Sequence, residues 1–401
     1  MQIRIEKLVY GGEGLGRLEG QVVLAPFVLP GELVSADAAE SRPGLLRARR
    51  VEILSRAAER VDPACPLFYH CGGCHYQHAA YEAQLDAKRA ILSEELRRIG
   101  KIEPPAGIPT IAAGPWGYRN RVQLHLAGGE IGYLRARSHR LCAIRHCPIS
   151  SPRINETIAQ LRQMMRDRRW PHFLRSVELF TNENEVQVNV VDSVRPPARR
   201  FFEWCAERIP GAASPTLDYP AAGFLFQVSN RSFFQVNRYL VDRLVEEALW
   251  QAEGETALDL YAGVGLFSLP LARRFRSVTA VEAGAGAVRD LRASAERAGL
   301  SLEVVRDSAE QYLARPGLAP DFVLADPPRS GLNRAGVEKL AALLPSRVTI
   351  VACDPATLAR DLAGLLKAGY EIARLALVDL FPQTYHIESV AHLRRSKSSA
   401  V

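Results

Sequence analysis

Leu258-Asp259-Leu260-Tyr261-Ala262-Gly263-Val264-Gly265 is the stretch whose reading decides the fold. An apolar strand runs into a glycine-rich turn, and apolar residues at helical spacing follow. Glycines there let a ligand approach the backbone at the strand's C-terminal end. The C-terminal half repeats this alternation. Strands are predicted over 256–260, 277–282, 302–306, 321–325 and 347–352, and helices over 237–251, 266–274, 285–299, 336–344 and 356–368. Such alternation predicts a Rossmann-like α/β domain, a parallel sheet covered on both faces, over 226–401.

The strand ends carry the chemistry. Gly263 and Gly265 form the turn. Glu282 ends the next strand, where a carboxylate can accept both ribose hydroxyls, and Asp307 follows the third, near an adenine position. An NAD-binding domain is the rival, with Ser268 as its third small residue. Asp259 before the turn favours the class I S-adenosylmethionine (SAM) methyltransferase pattern. The fourth strand ends in Asp326-Pro-Pro-Arg329, with no aromatic residue after the prolines to shelve an amino base. The fifth ends in Cys353-Asp-Pro, just before a helix, and a helix N-terminus favours thiolate. A buried packing cysteine is the plainer alternative.

A thiolate, a carboxylate and SAM fit one reaction. C5 of uracil is a poor nucleophile until sulfur adds to C6 and creates an enolate. Cys353 is the candidate nucleophile. Glu388, in a 381–389 segment that could equally be a solvated loop, is the candidate base for the C5 proton. Gln235 and Asp326 can orient the ring and methyl donor by hydrogen bonds. Cytosine C5 chemistry on RNA typically adds a second cysteine near Asp-Pro-Pro, and none stands between Cys205 and Cys353.

Upstream, the first sixty residues read as short strands and turns. Strands are predicted over 2–9, 21–28 and 45–54, with 10–16 as a turn, giving an OB-like β-barrel over 1–58. A helix is expected over 79–99, with Tyr81, Leu85, Lys88 and Leu92 on one face. A β-rich domain over 59–225 follows, with strands at 120–126, 130–134, 176–181 and 185–191 and a basic helix at 151–169. Cys65, Cys71, Cys74 and Cys147 suit four-thiolate ligation. Their spacing leans towards a 4Fe-4S cluster over zinc without deciding between them. Cys142 and Cys205 read as packing residues, and the nearby histidines as surface groups or groups behind the ligands.

The 401 residues are 47% hydrophobic and 24% charged, which excludes disorder, collagen and coiled coil. No apolar run is long enough to span a membrane, and no secretory signal is visible, so a cytoplasmic monomer is expected. The net charge of +7 is concentrated: residues 116–175 hold twelve arginines, no lysine and three carboxylates, +9 in all, leaving the remainder at −2. Arginine suits bidentate phosphate contacts, so RNA is the expected partner, with Arg119, Arg121, Arg135, Arg137, Arg140 and Arg145 as contacts. The polar tail 394–401 is expected to fray.

Together these motifs resemble the RNA uracil-C5 methyltransferase family, in its bacterial RumA-like branch that modifies 23S rRNA. Val9-Tyr-Gly-Gly-Glu-Gly-Leu-Gly and Leu29-Pro-Gly-Glu resemble a TRAM domain. Cys65, Cys71, Cys74 and Cys147 match the family's 4Fe-4S spacing. Phe233-Phe-Gln-Val-Asn, Asp259-Leu-Tyr-Ala-Gly-Val-Gly, Asp326-Pro-Pro-Arg, the Cys353 segment and Tyr385–Glu388 match its methyltransferase motifs. The resemblance implies Cys353 as nucleophile, Glu388 as base, and Gln235, Tyr261, Glu282, Asp307 and Asp326 around SAM. It favours rRNA as substrate, with a tRNA uridine as the alternative. A non-enzymatic RNA-binding protein with a structural metal, or a redox enzyme with an NAD-type fold, are the readings from other classes.

Overall fold

The computed structural model describes residues 1–396. Five strands, β1 (Gln2–Leu8), β2 (Glu13–Leu18), β3 (Gln21–Pro26), β4 (Leu33–Arg42) and β5 (Leu45–Ser55), close a barrel in the order β1-β2-β3-β5-β4. Alternation in β1 turns Ile3 and Ile5 into the barrel core and leaves Arg4 and Glu6 outside. The segment expected as one long turn stops turning at Gly12 and continues as β2. Gly14 and Gly16 are strand residues because the barrel wall leaves no room: a Cβ on Gly16 would lie 2.5 Å from the Arg4 carbonyl oxygen. β4, with three Ala, two Ser, an Asp and a Glu among its ten residues, has low strand propensity and was not anticipated.

A cysteine-rich loop leads to α1 (Tyr81–Glu95), which a π-helical turn prolongs over Leu96–Gly100. The face expected from spacing is the buried one: Leu85, Lys88 and Leu92 are all inside. It packs on α9 (Pro355–Lys367). β6 (Thr110–Ile111) then joins the large C-terminal sheet.

A second sheet has the order β11-β10-β7-β8-β9. Its strands are β7 (Arg121–Ala127), β8 (Glu130–Leu134), β9 (Leu141–Ala143), β10 (Leu174–Thr181) and β11 (Val186–Ser193). α2 (Pro152–Met164) packs on it, N-capped by Ser151 with proline in its first turn. α2 is shorter than the predicted basic helix. α3 (Arg199–Ala206) and the hairpin β12 (Thr216–Ala221)–β13 (Phe224–Ser229) follow.

The large sheet has eight strands in the order β16-β15-β14-β17-β18-β20-β19-β6. The parallel set is β14 (Gly254–Leu260), β15 (Phe275–Glu282), β16 (Glu303–Arg306), β17 (Phe322–Ala325) and β18 (Arg347–Ala352). Between and around them lie α4 (Val241–Ala248), α5 (Ser268–Leu271), α6 (Ala285–Arg297), α7 (Ala309–Tyr312), α8 (Asn333–Ala342) and α9. The sheet is not wholly parallel, as expected, but mixed: β20 (Glu388–Arg395) runs antiparallel to both β18 and β19 (Tyr370–Val378). Of the tail expected to fray, Arg394 and Arg395 belong to β20, and 397–401 lie outside the described residues.

The segment between β19 and β20 is tied to α1. Lys88 Nζ donates to Asp379 Oδ1 at 2.6 Å and to the Phe381 carbonyl at 2.9 Å, and the Lys88 and Asp379 side chains are both fully buried. Burial pulls the lysine pKa down, and the aspartate opposes that shift. Lys88→Ala would leave Asp379 as a buried charge without its cation, so a loss of about 3–5 kcal/mol is expected in urea unfolding. A loss below ~1 kcal/mol would contradict this reading of the pair.

Candidate active site

Topology brings the predicted residues to one sheet edge. Tyr261, Glu282, Asp307, Asp326 and Cys353 stand at or just after the C-terminal ends of the five parallel strands. Because β20 is antiparallel, its first residue, Glu388, starts at this same edge. The register Ala352↔Ser389 sets Cys353 opposite Glu388. Glu388 is therefore a buried strand residue and not a solvated loop carboxylate.

The glycine turn forms a cradle. Glu282 accepts from the Gly263 N–H at 2.9 Å and the Gly284 N–H at 2.6 Å. A carboxylate has about four acceptor positions, so it can still take ribose hydroxyls. Gly263 has φ +56° and open space where a Cβ would stand. Tyr261 takes φ +62°, a costly conformation for a tyrosine, and its hydroxyl donates to Glu310 at 3.1 Å. Gly265 is needed for packing: a Cβ would come within 2.9 Å of Leu269 and Leu291. Beneath the turn, burial pushes the Asp259 carboxyl up to about 7 although Ser268 donates to it. Asp307 is committed to Arg315 at 2.8 Å and to the Ser308 N–H. Gln235 is buried beside the exposed Phe233. The open cradle and the spare acceptor positions of Glu282 fit SAM.

Cys353 is not the resting thiolate that a helix N-terminus suggested. Burial, and then the charges of Glu388 and Asp326, push its pKa up to about 12, with Arg329 opposing. The first-turn donors are already used, because Asp354 Oδ1 accepts from the N–H groups of Ala356 and Thr357 at 3.0 and 2.9 Å. Glu388 is buried and Asp326 half-buried, and desolvation pushes both carboxyls up; the Asp326 charge raises Glu388 further. The site thus favours neutral groups and couples any deprotonation of sulfur to a neighbouring acceptor.

A second cavity, about 480 Å³, is bordered by Cys65, Cys71, Cys74 and Cys147 at one end and by Arg329, Tyr385 and His386 at the other. Among the described residues, no three His, Cys, Asp or Glu side chains are grouped to hold a single metal ion. Cys142 is buried close enough to Cys65 and Cys71 to disfavour their ionisation, so it stands near this set and not apart from it. Cys205 is a core residue.

The tRNA (uracil-5-)-methyltransferase family model matches residues 214–396. An uncharacterized RNA methyltransferase of Thermosynechococcus vestitus is 33% identical over 99% of this chain and 98% of its own. The 23S rRNA (uracil(1939)-C(5))-methyltransferase of Pectobacterium atrosepticum is 34% identical over 95% of this chain and 90% of its own. The crystal structure of the Pyrococcus abyssi tRNA (uracil-54, C5)-methyltransferase in complex with S-adenosyl-L-homocysteine superposes with a TM-score of 0.77, at 26% identity, over 98% of this chain and 100% of that one. The chain belongs to the RNA uracil-C5 methyltransferase family. It is a SAM-dependent enzyme whose reaction is methylation of uracil C5 in RNA.

For such a methyltransferase the arginine segment needs one correction. Local shortage of carboxylates did not leave the arginines free, because partners come from distant elements. Arg121 is buried, pairs with Glu178 at 3.1 Å and lies over the Phe180 ring, so it is not a surface contact. Arg137 pairs with Glu13 of the barrel at 2.6 Å. Arg135, Arg140 and Arg145 are exposed, and Arg119 lines the cysteine cavity. Sequence reasoning missed Tyr10. Its hydroxyl donates to the Cys353 carbonyl at 3.4 Å and its ring meets Tyr385 edge-on at 5.5 Å. The aromatic character of the Tyr10 turn was its only signal.

Iodoacetamide alkylation of Cys353 should keep rising about tenfold per pH unit well past the usual thiol range near 8.5. Asp326→Asn removes a negative neighbour, lowers the thiol pKa and should speed alkylation at pH ~8. A wild-type plateau at or below pH ~8.5 would contradict the raised thiol.

Proposed function

We propose that this enzyme methylates a uridine of 23S rRNA through a covalent bond between Cys353 Sγ and uracil C6. The observation that carries the reading is the β18–β20 register, which sets thiol and carboxyl side by side at the cofactor edge. Bound SAM supplies an electrophilic methyl group. Cys353 Sγ bonds to C6 while its proton passes to the Asp326–Glu388 pair and on to water. C5 of the resulting enolate takes the methyl. Glu388 then removes the C5 proton, the C6–Sγ bond breaks, and the sulfur recovers a proton from Glu388. Gln235 and Asp326 orient the ring, and Glu282 and Asp307 hold the nucleoside of the methyl donor.

The rRNA assignment is supported by the relative from Pectobacterium, matched over 95% of this chain, and by the N-terminal barrel, which reads as a TRAM domain. The Pyrococcus neighbour favours a second reading, the same chemistry on a tRNA uridine. The division into 1–58, 59–225 and 226–401, a monomeric state and a cytoplasmic location complete the proposal.

Cys65, Cys71, Cys74 and Cys147 all line the cavity of about 480 Å³, and their spacing is what supports a cluster here. We assign Cys65, Cys71, Cys74 and Cys147 to a 4Fe-4S cluster with a structural role. The N–H groups of His75 and Tyr76, next to Cys74, donate to the Gln383 carbonyl at 2.8 and 3.0 Å. The cysteine loop thereby steadies the segment leading to Glu388. Cys74→Ser should lose visible thiolate–iron absorption and most activity while keeping S-adenosyl-L-homocysteine affinity; full activity without that absorption counts against the assignment.

Mass-spectrometric mapping of 5-methyluridine in cells lacking this gene tests the substrate. One 23S rRNA site should lose its methyl group, regain it with the wild-type gene and not with Cys353→Ala. Loss confined to tRNA would replace the rRNA reading by the second one.

A further inference from the structure

At the far end of the second sheet lies a groove of about 1040 Å³ that plays no part in the chemistry above. It is built from the loop after α2, the chain after β11 and α3. Arg168, Arg169, Arg195 and Arg200 line it, and no carboxylate does. Two of these guanidiniums lie over aromatic rings: Arg169 Cζ is 4.6 Å from the Trp204 centroid and Arg195 Cζ 4.5 Å from that of Phe173. Trp170, Phe201 and Trp204 form the buried floor, and the Trp204 indole N–H is buried without a hydrogen-bond partner. Arg169 is paired with Asp167 at 2.9 Å. Arg168 lies close enough to Asp167 to stabilise its charge, but the carboxylate's direct ion pair is with Arg169. Cations stacked on aromatic faces keep their N–H edges free and lose less side-chain entropy on meeting a phosphate.

Strand geometry gives the distance of the groove from the chemistry. Phe180 pairs with Arg121 at the end of β10, where Arg119 bridges to Asn237 beside Gln235. The groove opens beyond Leu174, six residues back along β10 at ~3.3 Å each, or about 20 Å. One extruded uridine does not span that length.

We propose that this groove is a remote anchor for the backbone phosphates of the substrate RNA, engaging a part of the folded RNA that is not the target loop. The proposal rests on the reading of the enzyme as acting on a large folded RNA. It makes the groove a determinant of RNA affinity and not of methyl transfer. Phosphate contacts of this kind fix register without reading bases.

The test compares Arg168→Glu/Arg200→Glu with Arg243→Glu/Arg334→Glu, a control that changes net charge equally on exposed helix faces elsewhere. Binding and single-turnover methylation are measured on a 23S rRNA transcript and a tRNA transcript, over a salt series. On whichever transcript the unaltered enzyme methylates, the groove variant should bind at least about tenfold more weakly than the control, and the slope of log affinity against log salt should fall by about 2. The rate at saturating RNA and the affinity for S-adenosyl-L-homocysteine should not change. Equal affinity and equal slope for the two variants would overturn the anchor, as would weakened binding of an acidic polypeptide in place of RNA. If neither transcript is methylated by the unaltered enzyme, the functional reading fails, while the binding slopes still decide the groove.

Discussion

The buried ion pair between Lys88 and Asp379 is the interaction on which the rest of the active site depends. It joins a helix near the barrel to a strand end 291 residues later. Neither charge can be buried alone at acceptable cost, so forming the pair fixes the whole 379–387 segment. Around it the Tyr81 hydroxyl donates to Asp379 at 2.7 Å, and Gln84 accepts from the Gln383 N–H at 3.0 Å. The Tyr118 hydroxyl donates to the Pro382 carbonyl at 3.0 Å and the Asn237 amide to the Leu380 carbonyl at 3.1 Å. α1, the cysteine loop and residues 118 and 237 thus all hold the segment that leads to Glu388.

That anchoring explains the electrostatics of the site. The close grouping raises the thiol and both carboxyls together, because burial penalises each charge and like charges penalise one another. Cys353 is therefore held as a thiol. On the proposed covalent route, a substrate that accepts the sulfur's electrons as its proton leaves would be the means of activation. A free thiolate at rest would react with other electrophiles. Arg329 opposes these shifts at both Cys353 and Glu388.

Much of this was legible in the sequence where local pattern carries the information. The central parallel strands β17 and β18 are mostly apolar runs, their ends are marked by Asp326-Pro-Pro and Cys353-Asp-Pro, and the alternation with helices let residues from five strands be assigned to one edge. β8 and β18 were bounded to the residue. The failures are equally physical. β2 looked like a turn because its glycines answer a steric demand of neighbouring strands that no local pattern records. β20 was missed, although the candidate base Glu388 stands at its first position, because its place is set by pairing with β18. The pairing of Arg121 with Glu178 and the contact of Tyr10 with Cys353 bring together residues 57 and 343 positions apart, beyond any periodicity. The thiol's protonation state was misjudged because its burial and the approach of Glu388 and Asp326 are set by the tertiary fold, and Asp354 takes up the helix donors.

The most direct test of the account is intact-protein mass spectrometry of Glu388→Gln after incubation with SAM and the substrate RNA. If Cys353 attacks C6 and Glu388 removes the C5 proton, the variant should accumulate a protein–RNA adduct carrying the transferred methyl group, attached at Cys353 and absent in the Cys353→Ala/Glu388→Gln double variant. Normal turnover by Glu388→Gln with no adduct, or an adduct that persists without Cys353, would contradict it.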